Sequence, residues 1–146
     1  MQQIRSRKRR MAYKVQRINP LDLQPRKAVG VALPFSGRAV FNSTYTSKDA
    51  IKANLINFFL TGKNERVFNV EFGAGLRNQL FENITSENIE QLRLNILESL
   101  KLYFPRVIVN KLELTATPDK NIINFSLKYA VSQTNIQDEL SINFEQ

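Results

Sequence analysis

The residue types that could do chemistry in this chain are few, and what is missing narrows them first. Among 146 residues there is no histidine and no cysteine. Ser-His-Asp and Cys-His nucleophilic chemistry, disulfides, thiolate metal sites and the commonest imidazole ligands are therefore excluded. Carboxylates remain. Glu71 and Glu82 stand in the central stretch of the chain. Tryptophan is absent. Glu71, directly before Phe72-Gly73, reads better as a structural carboxylate, either a buried acceptor for main-chain amides or the partner of Arg66 or Arg106. Gly73 and Gly75 do not make a phosphate cradle, since Gly-x-Gly-x-x-Gly would need glycine where Asn78 stands. They suit a tight turn into a helix over Leu76 to Phe81, with Leu76, Leu80 and Phe81 as core. No cofactor and no metal is expected.

Positive charge is the second chemical resource, and it is concentrated at one end. Residues 1–27 carry nine Lys or Arg, among them Arg7, Lys8, Arg9 and Arg10, against one acid, Asp22. This stretch alone accounts for the net charge of +8, and the remaining 119 residues hold 12 basic and 12 acidic side chains. Such an arm seeks anionic surfaces through steering and counterion release. Only Tyr13 offers a ring for base stacking, so a nucleic-acid partner is the weaker reading. The run that follows, Met11 to Arg17, has no apolar h-region and does not resemble a cleaved leader. The most apolar stretch, Leu55 to Leu60, is broken by Asn57 and falls far short of the roughly 20 residues a bilayer needs.

The elements that must position these groups follow from periodicity. Pro20, Pro25, Gly30 and Pro34 punctuate the chain up to Phe35 and set an expected boundary near residue 28, between a basic arm (1–27) and a domain (28–146). Arg38 to Tyr45 suggests a short strand. Thr46 with Asp49 three residues on predicts a helix start, and Gly62 a stop. The face of that helix is read as Ala50, Ile51, Asn54, Leu55, Phe58 and Phe59. A longer helix is expected from Ser86, with Ile89, Leu92, Ile96 and Leu100 as its stripe, Leu97 widening it and Pro105 closing it. The period then changes to two. Val107 to Ala116 and Ile123 to Val131 predict a hairpin turning at Pro118 to Asn121, and Leu140, Ile142 and Phe144 mark a final strand. The expected fold is α+β with two layers, an antiparallel sheet of three to four strands on two main helices, preceded by the extended arm.

Four linked motifs carry a family resemblance: Gly62 to Arg66 as Gly-x-x-x-Arg, Glu71-Phe72-Gly73 with Leu76, Leu80-Phe81-Glu82, and Pro105-Arg106 after the long helix. In this order, over residues 36–131, the chain resembles the lysozyme-like baseplate wedge family of contractile phage tails, whose relatives include a baseplate subunit of type VI secretion systems. One position departs from the pattern, since Phe104 stands where the family's Glu-Pro-Arg has its acid.

The resemblance implies a structural, non-enzymatic subunit of the virion's tail baseplate, assembled in the host cytoplasm, that initiates the sheath by offering its sheet to strands of the first sheath ring. It also implies six copies per baseplate, with other wedge proteins and sheath subunits as partners and tube or hub proteins as candidates for the arm. No membrane partner is implied. Pro105, Arg106 and Glu71 become wedge-binding candidates, and Leu140, Ile142 and Phe144 mark the strand at which another strand could add. The family's lysozyme label keeps a muramidase in view as the enzymatic alternative, with Glu71 and Glu82 as its carboxylates.

Overall fold

Thr46 begins the first helix as its spacing predicts. The computed structural model describes residues 20–24, 26–35, 41–76, 85–117 and 122–144. Helix α1 spans Ser47–Leu60, and the Thr46 hydroxyl oxygen accepts the Asp49 amide proton at 3.2 Å. Asp22, from the short 3-10 turn Pro20–Leu23, adds a second cap by accepting from the Ser47 amide at 2.7 Å and the Ser47 hydroxyl at 2.9 Å. Two orphan donors at a positive helix end are thus satisfied, and a carboxylate is well placed there. Asp22 lies on the arm side of residue 28, so chain from that stretch is tied to α1.

Helix α1 departs from its predicted face. Ala53 and Ile56 are buried along with Ala50, Leu55, Phe58 and Phe59, whereas Asn54 is exposed. The helix ends without a left-handed glycine. Thr61 caps it with φ −83°, its amide and hydroxyl both donating to the Asn57 carbonyl, at 3.1 and 2.6 Å.

Helix α2 spans Ser86–Tyr103 and is capped by Thr85, which accepts from the Asn88 amide at 3.2 Å. Its stripe is as expected: Leu92, Ile96 and Leu100 are buried, and Ile89 and Leu97 are half-buried. Phe104 closes it, donating its amide to the Leu100 carbonyl at 2.8 Å. Among the described residues no helix is long and apolar enough to cross a membrane.

Strands β1 (Gly30–Val31) and β2 (Ser43–Thr44) form a small antiparallel ribbon, so of the strand expected over Arg38 to Tyr45 only the last part is seen, residues 36–40 lying outside the described chain. Gly30 packs so closely that a Cβ there would meet Thr44 Oγ1 at 3.1 Å and Ala50 Cβ at 3.4 Å. Strands β3 (Val107–Thr117), β4 (Ile122–Val131) and β5 (Gln137–Phe144) make the main sheet, antiparallel in the order β3-β4-β5. The expected turn at Pro118 to Asn121 and the helix beyond Leu76 lie outside the described residues.

A bulge interrupts β3. Val109 pairs with Tyr129 but Lys111 pairs with Lys128, leaving Asn110 as the extra residue. One extra residue reverses which side chains face inward. Val107 and Val109 therefore point to the core before the bulge, and Leu112, Leu114 and Ala116 after it. The core lies between this sheet face and both helices, with Phe59 of α1 against Phe125 of β4 at 4.2 Å between ring centroids.

Candidate interaction site

The motif-rich segment after α1 folds back over the end of that helix. Its turns are closed by hydrogen bonds from the Asn64 amide to the Val70 carbonyl (2.8 Å) and from the Phe72 amide to the Asn69 carbonyl (3.1 Å). Gly73 has φ +118° and Gly75 φ +67°. A Cβ on Gly73 would lie 2.5 Å from the Thr61 carbonyl oxygen, so no other residue fits. This close approach lets the Ala74 amide donate to the Phe58 carbonyl at 3.1 Å, which satisfies an acceptor left open at the helix C-terminus. Phe72 then inserts beside Phe58, ring centroids 5.4 Å apart, in a cluster with Tyr103 and Phe104.

Beside this cluster a cleft of about 310 Å³ opens between α1, the folded-back segment and the end of α2. Asn54 and Asn57 line it from α1, Arg66, Asn69 and Phe72 from the segment, and Tyr103 and Phe104 from α2. The Arg66 guanidinium carbon sits 3.8 Å from the centre of the Phe72 ring, a cation–π contact. Tyr103 donates to Asn69 Oδ1 at 3.3 Å. Among the described residues no carboxylate lines the cleft. Phe104 packs edge-on against Phe58 at 5.6 Å, so where the resembled motif has an acid this chain places an aromatic ring, and its nearby arginine stacks on another ring.

The expected site residues fall in different places. Glu71 is exposed rather than buried, and no ion pair joins it to Arg66 or Arg106 among the described residues. Its main-chain carbonyl accepts from Lys63 Nζ at 2.6 Å. Glu82 lies outside the described residues, as do Arg7, Lys8, Arg9 and Arg10. Pro105 and Arg106 form the exposed corner between α2 and β3, where the Arg106 carbonyl accepts the Ser132 amide proton at 2.8 Å.

Leu140 and Phe144 are buried and Ile142 is half-buried, all three packing in or against the core, so β5 presents these side chains to the domain itself. What a partner meets along β5 is the main chain and the side chains between them. Among the described residues no group of three or more carboxylate ligands suited to a metal ion occurs. Asn69 and Tyr103 were not expected at a site, and Asn57 was read only as a break in an apolar stretch. Asn54 and Asn57, polar and three apart in an apolar helix, were the available signal.

Near the other end of α1, Lys52 and Lys48 reach Asp138 of β5 at 3.2 and 3.8 Å. Burial raises the Asp138 pKa, but the Glu139 amide and the two ammonium groups outweigh it and hold the carboxyl below its ordinary value. Tyr129, whose hydroxyl is buried without a partner among the described residues, is pushed up to about 12 by burial and then by Asp138 and Asp49.

With the two described helices, the main sheet and the cleft in place, comparison with known proteins decides the family. The model of the family described as baseplate wedge protein gp25 matches residues 46–136, from the cap of α1 to the turn before β5. The chain belongs to that family. It is a baseplate wedge protein, a structural component of a phage tail. It is 36% identical over 69 residues to baseplate wedge protein gp25 of Enterobacteria phage T4, a match covering 47% of this chain and about half (51%) of that relative.

Among solved structures the wedge protein is similar to one named a tail lysozyme from Geobacter sulfurreducens. The TM-score is 0.59 at 20% identity, over 70% of this chain and 93% of the other. It also matches a chain of the anti-feeding prophage baseplate at TM-score 0.48 and 21% identity, over 78% of this chain and 82% of that one. The Geobacter likeness is one of fold.

Proposed function

We propose that this wedge protein initiates the tail sheath, its main sheet accepting a strand from a subunit of the first sheath ring. The observation that carries this reading is the sheet order: β3 and β5 each pair on one side only, with β4, among the described residues. An unpaired edge is a template for main-chain pairing, which gives affinity while tolerating variation in side chains. Six copies in a ring would set where polymerisation begins.

In this reading residues 1–27 are an arm that follows acidic faces of neighbouring wedge, tube or hub proteins, anchored to the 28–146 domain through Asp22. The exposed Pro105-Arg106 corner docks a wedge partner, where guanidinium can make the bidentate contact that lysine cannot. No turnover of peptidoglycan is proposed. A glycosidase keeps its acid protonated by enclosing it in apolar surroundings, and the exposure of Glu71 supports the structural reading.

The test uses tails assembled without this protein and complemented by variants of it. Arg106→Ala is expected to melt like the parent and to enter baseplates poorly, read by the amount bound to purified wedges. Unfolding of that variant, or unchanged incorporation, would remove the docking role from Arg106. Clearing of a peptidoglycan suspension that Glu71→Gln abolishes would overturn the non-enzymatic reading.

A further inference from the structure

The two edges of the main sheet are chemically different, and the hydrogen-bond register shows how. The Val131 amide donates to the Ile136 carbonyl at 2.9 Å, which makes 131 and 136 a hydrogen-bonded pair. In an antiparallel ladder such pairs alternate with non-bonded ones. Tyr129–Asp138, Leu127–Leu140, Phe125–Ile142 and Ile123–Phe144 therefore belong to the bonded class. Glu139, Ser141 and Asn143 then point their amides and carbonyls away from β4, to the open side of β5.

At Glu139 that open side is already occupied. Its amide donates to Asp138 Oδ1 at 2.9 Å and its carbonyl accepts from Lys52 Nζ at 3.1 Å. Lys52 also holds Asp138 Oδ2 at 3.2 Å, which closes the three groups into a clasp. A strand arriving along β5 would have to break both main-chain contacts and displace a lysine carried by α1.

Among the described residues the β3 edge has no such clasp. Residues of β4 that do not bond to β5 bond to β3, so Lys111, Glu113, Thr115 and Thr117 face β4. Leu112, Leu114 and Ala116 then direct their main-chain groups outward, without interruption once the Asn110 bulge is passed. Their side chains meanwhile lie on the core face, where Leu114 and Ala116 are only half-buried. Among the described residues the apolar face is therefore only partly covered at this edge, while the opposite face carries Lys111 and Glu113 paired at 2.6 Å.

We propose that the sheath strand adds to β3 over Leu112 to Ala116, and that the Lys52–Asp138–Glu139 clasp keeps β5 closed. The occupant is an extended segment of a sheath subunit with alternating side chains, apolar ones continuing the face of Leu114 and Ala116 and polar ones continuing the face of Lys111 and Glu113. The inference rests on the sheath-initiator reading above, and it says which edge performs it.

The experiment uses assembled baseplates carrying the full chain, with purified sheath subunits added. Ala116→Pro removes one outward donor from β3, and Ser141→Pro removes one from β5; neither amide belongs to the β4 ladder. Ala116→Pro is expected to lower sheath nucleation about tenfold, the scale of one lost main-chain hydrogen bond, and Ser141→Pro to leave it unchanged. In the unmodified protein, hydrogen exchange should slow across residues 111–117 on sheath addition and stay unchanged across 137–144. This second measurement stands even if a proline variant fails to fold.

Loss of nucleation in Ser141→Pro alone, with protection across 137–144, would overturn the edge assignment and leave strand addition intact. Normal nucleation in both variants, with neither segment protected, would overturn strand addition itself. Protection of 111–117 on concentrating the protein without sheath subunits would identify a second copy as the occupant and overturn the assignment to sheath.

Discussion

Helices α1 and α2 hold the same domain together in different ways. Helix α2 is the longer, 18 residues against 14, yet it buries a single stripe of Leu92, Ile96 and Leu100. Helix α1 buries residues around most of its circumference, because it is packed on several sides. Phe59 meets Phe125 of the sheet, Phe58 meets Phe72 of the folded-back segment, and Ala50 lies under Gly30 of the β1–β2 ribbon. Depth in the fold therefore follows from where a helix lies between layers, and its length counts for less. The dense motif segment after α1 acquires a physical role, since it covers the end and one flank of the central helix.

Removing a large ring from α1 should break this contrast most. Phe58→Ala is expected to cost about 3–5 kcal/mol and Ile96→Ala in α2 about 2–5 kcal/mol, at the lower end because the stripe borders solvent. Denaturant titration gives both numbers, and equal losses would mean that the helices share the core evenly.

Next comes the cover itself. Gly73→Ala combines a left-handed φ with an approach of 2.5 Å to the Thr61 carbonyl oxygen, and strain of this kind costs about 1–3 kcal/mol. If its melting temperature matched the parent's, the segment would not be fastened to α1 in this way.

A smaller effect belongs to the caps. Both helices begin with a threonine, but Asp22 supplies α1 with further acceptor bonds. Thr85→Ala is expected to cost about 1 kcal/mol and Thr46→Ala less. The reverse order in thermal melts would show that Asp22 adds nothing.

The last prediction is a dependence on pH where α1 meets β5. The Asp138 carboxyl lies below its ordinary value in the folded state, so its contribution is full above the unfolded value of 3.8 and is lost as pH falls through the folded one. At the alkaline end Tyr129 ionises in the unfolded chain near 10 and in the folded chain at about 12. Folding stability should therefore decline between those values as the unfolded chain loses protons. Melting against pH for Asp138→Asn and Tyr129→Phe checks each, since each variant should lose its own slope.

Local chemistry was sufficient to specify some of this molecule from the sequence. Thr46 and Thr85 announce the two helix starts, because capping is a matter of three residues. The stripe of α2 and the alternation in β4 and β5 were legible, because one face is buried and the other is wet. The order of Gly62–Arg66, Glu71-Phe72-Gly73 and Pro105-Arg106 pointed to the right family. The confinement of the charge to residues 1–27 is arithmetic.

Tertiary structure decided what depends on residues far apart in the chain. The burial of Ala53 and Ile56 required layers on more than one side of α1. The inward turn of Leu112 and Leu114 after Val107 and Val109 required the extra residue at Asn110 to be accommodated against Tyr129 and Lys128. Glu71 is exposed because Phe72, its neighbour, takes the place beside Phe58. The closing of one sheet edge depends on Lys52 meeting Glu139, 87 positions away. A periodic pattern reports which side of an element is apolar. Only the packed fold determines what lies against that side, and which main-chain groups are left for another chain.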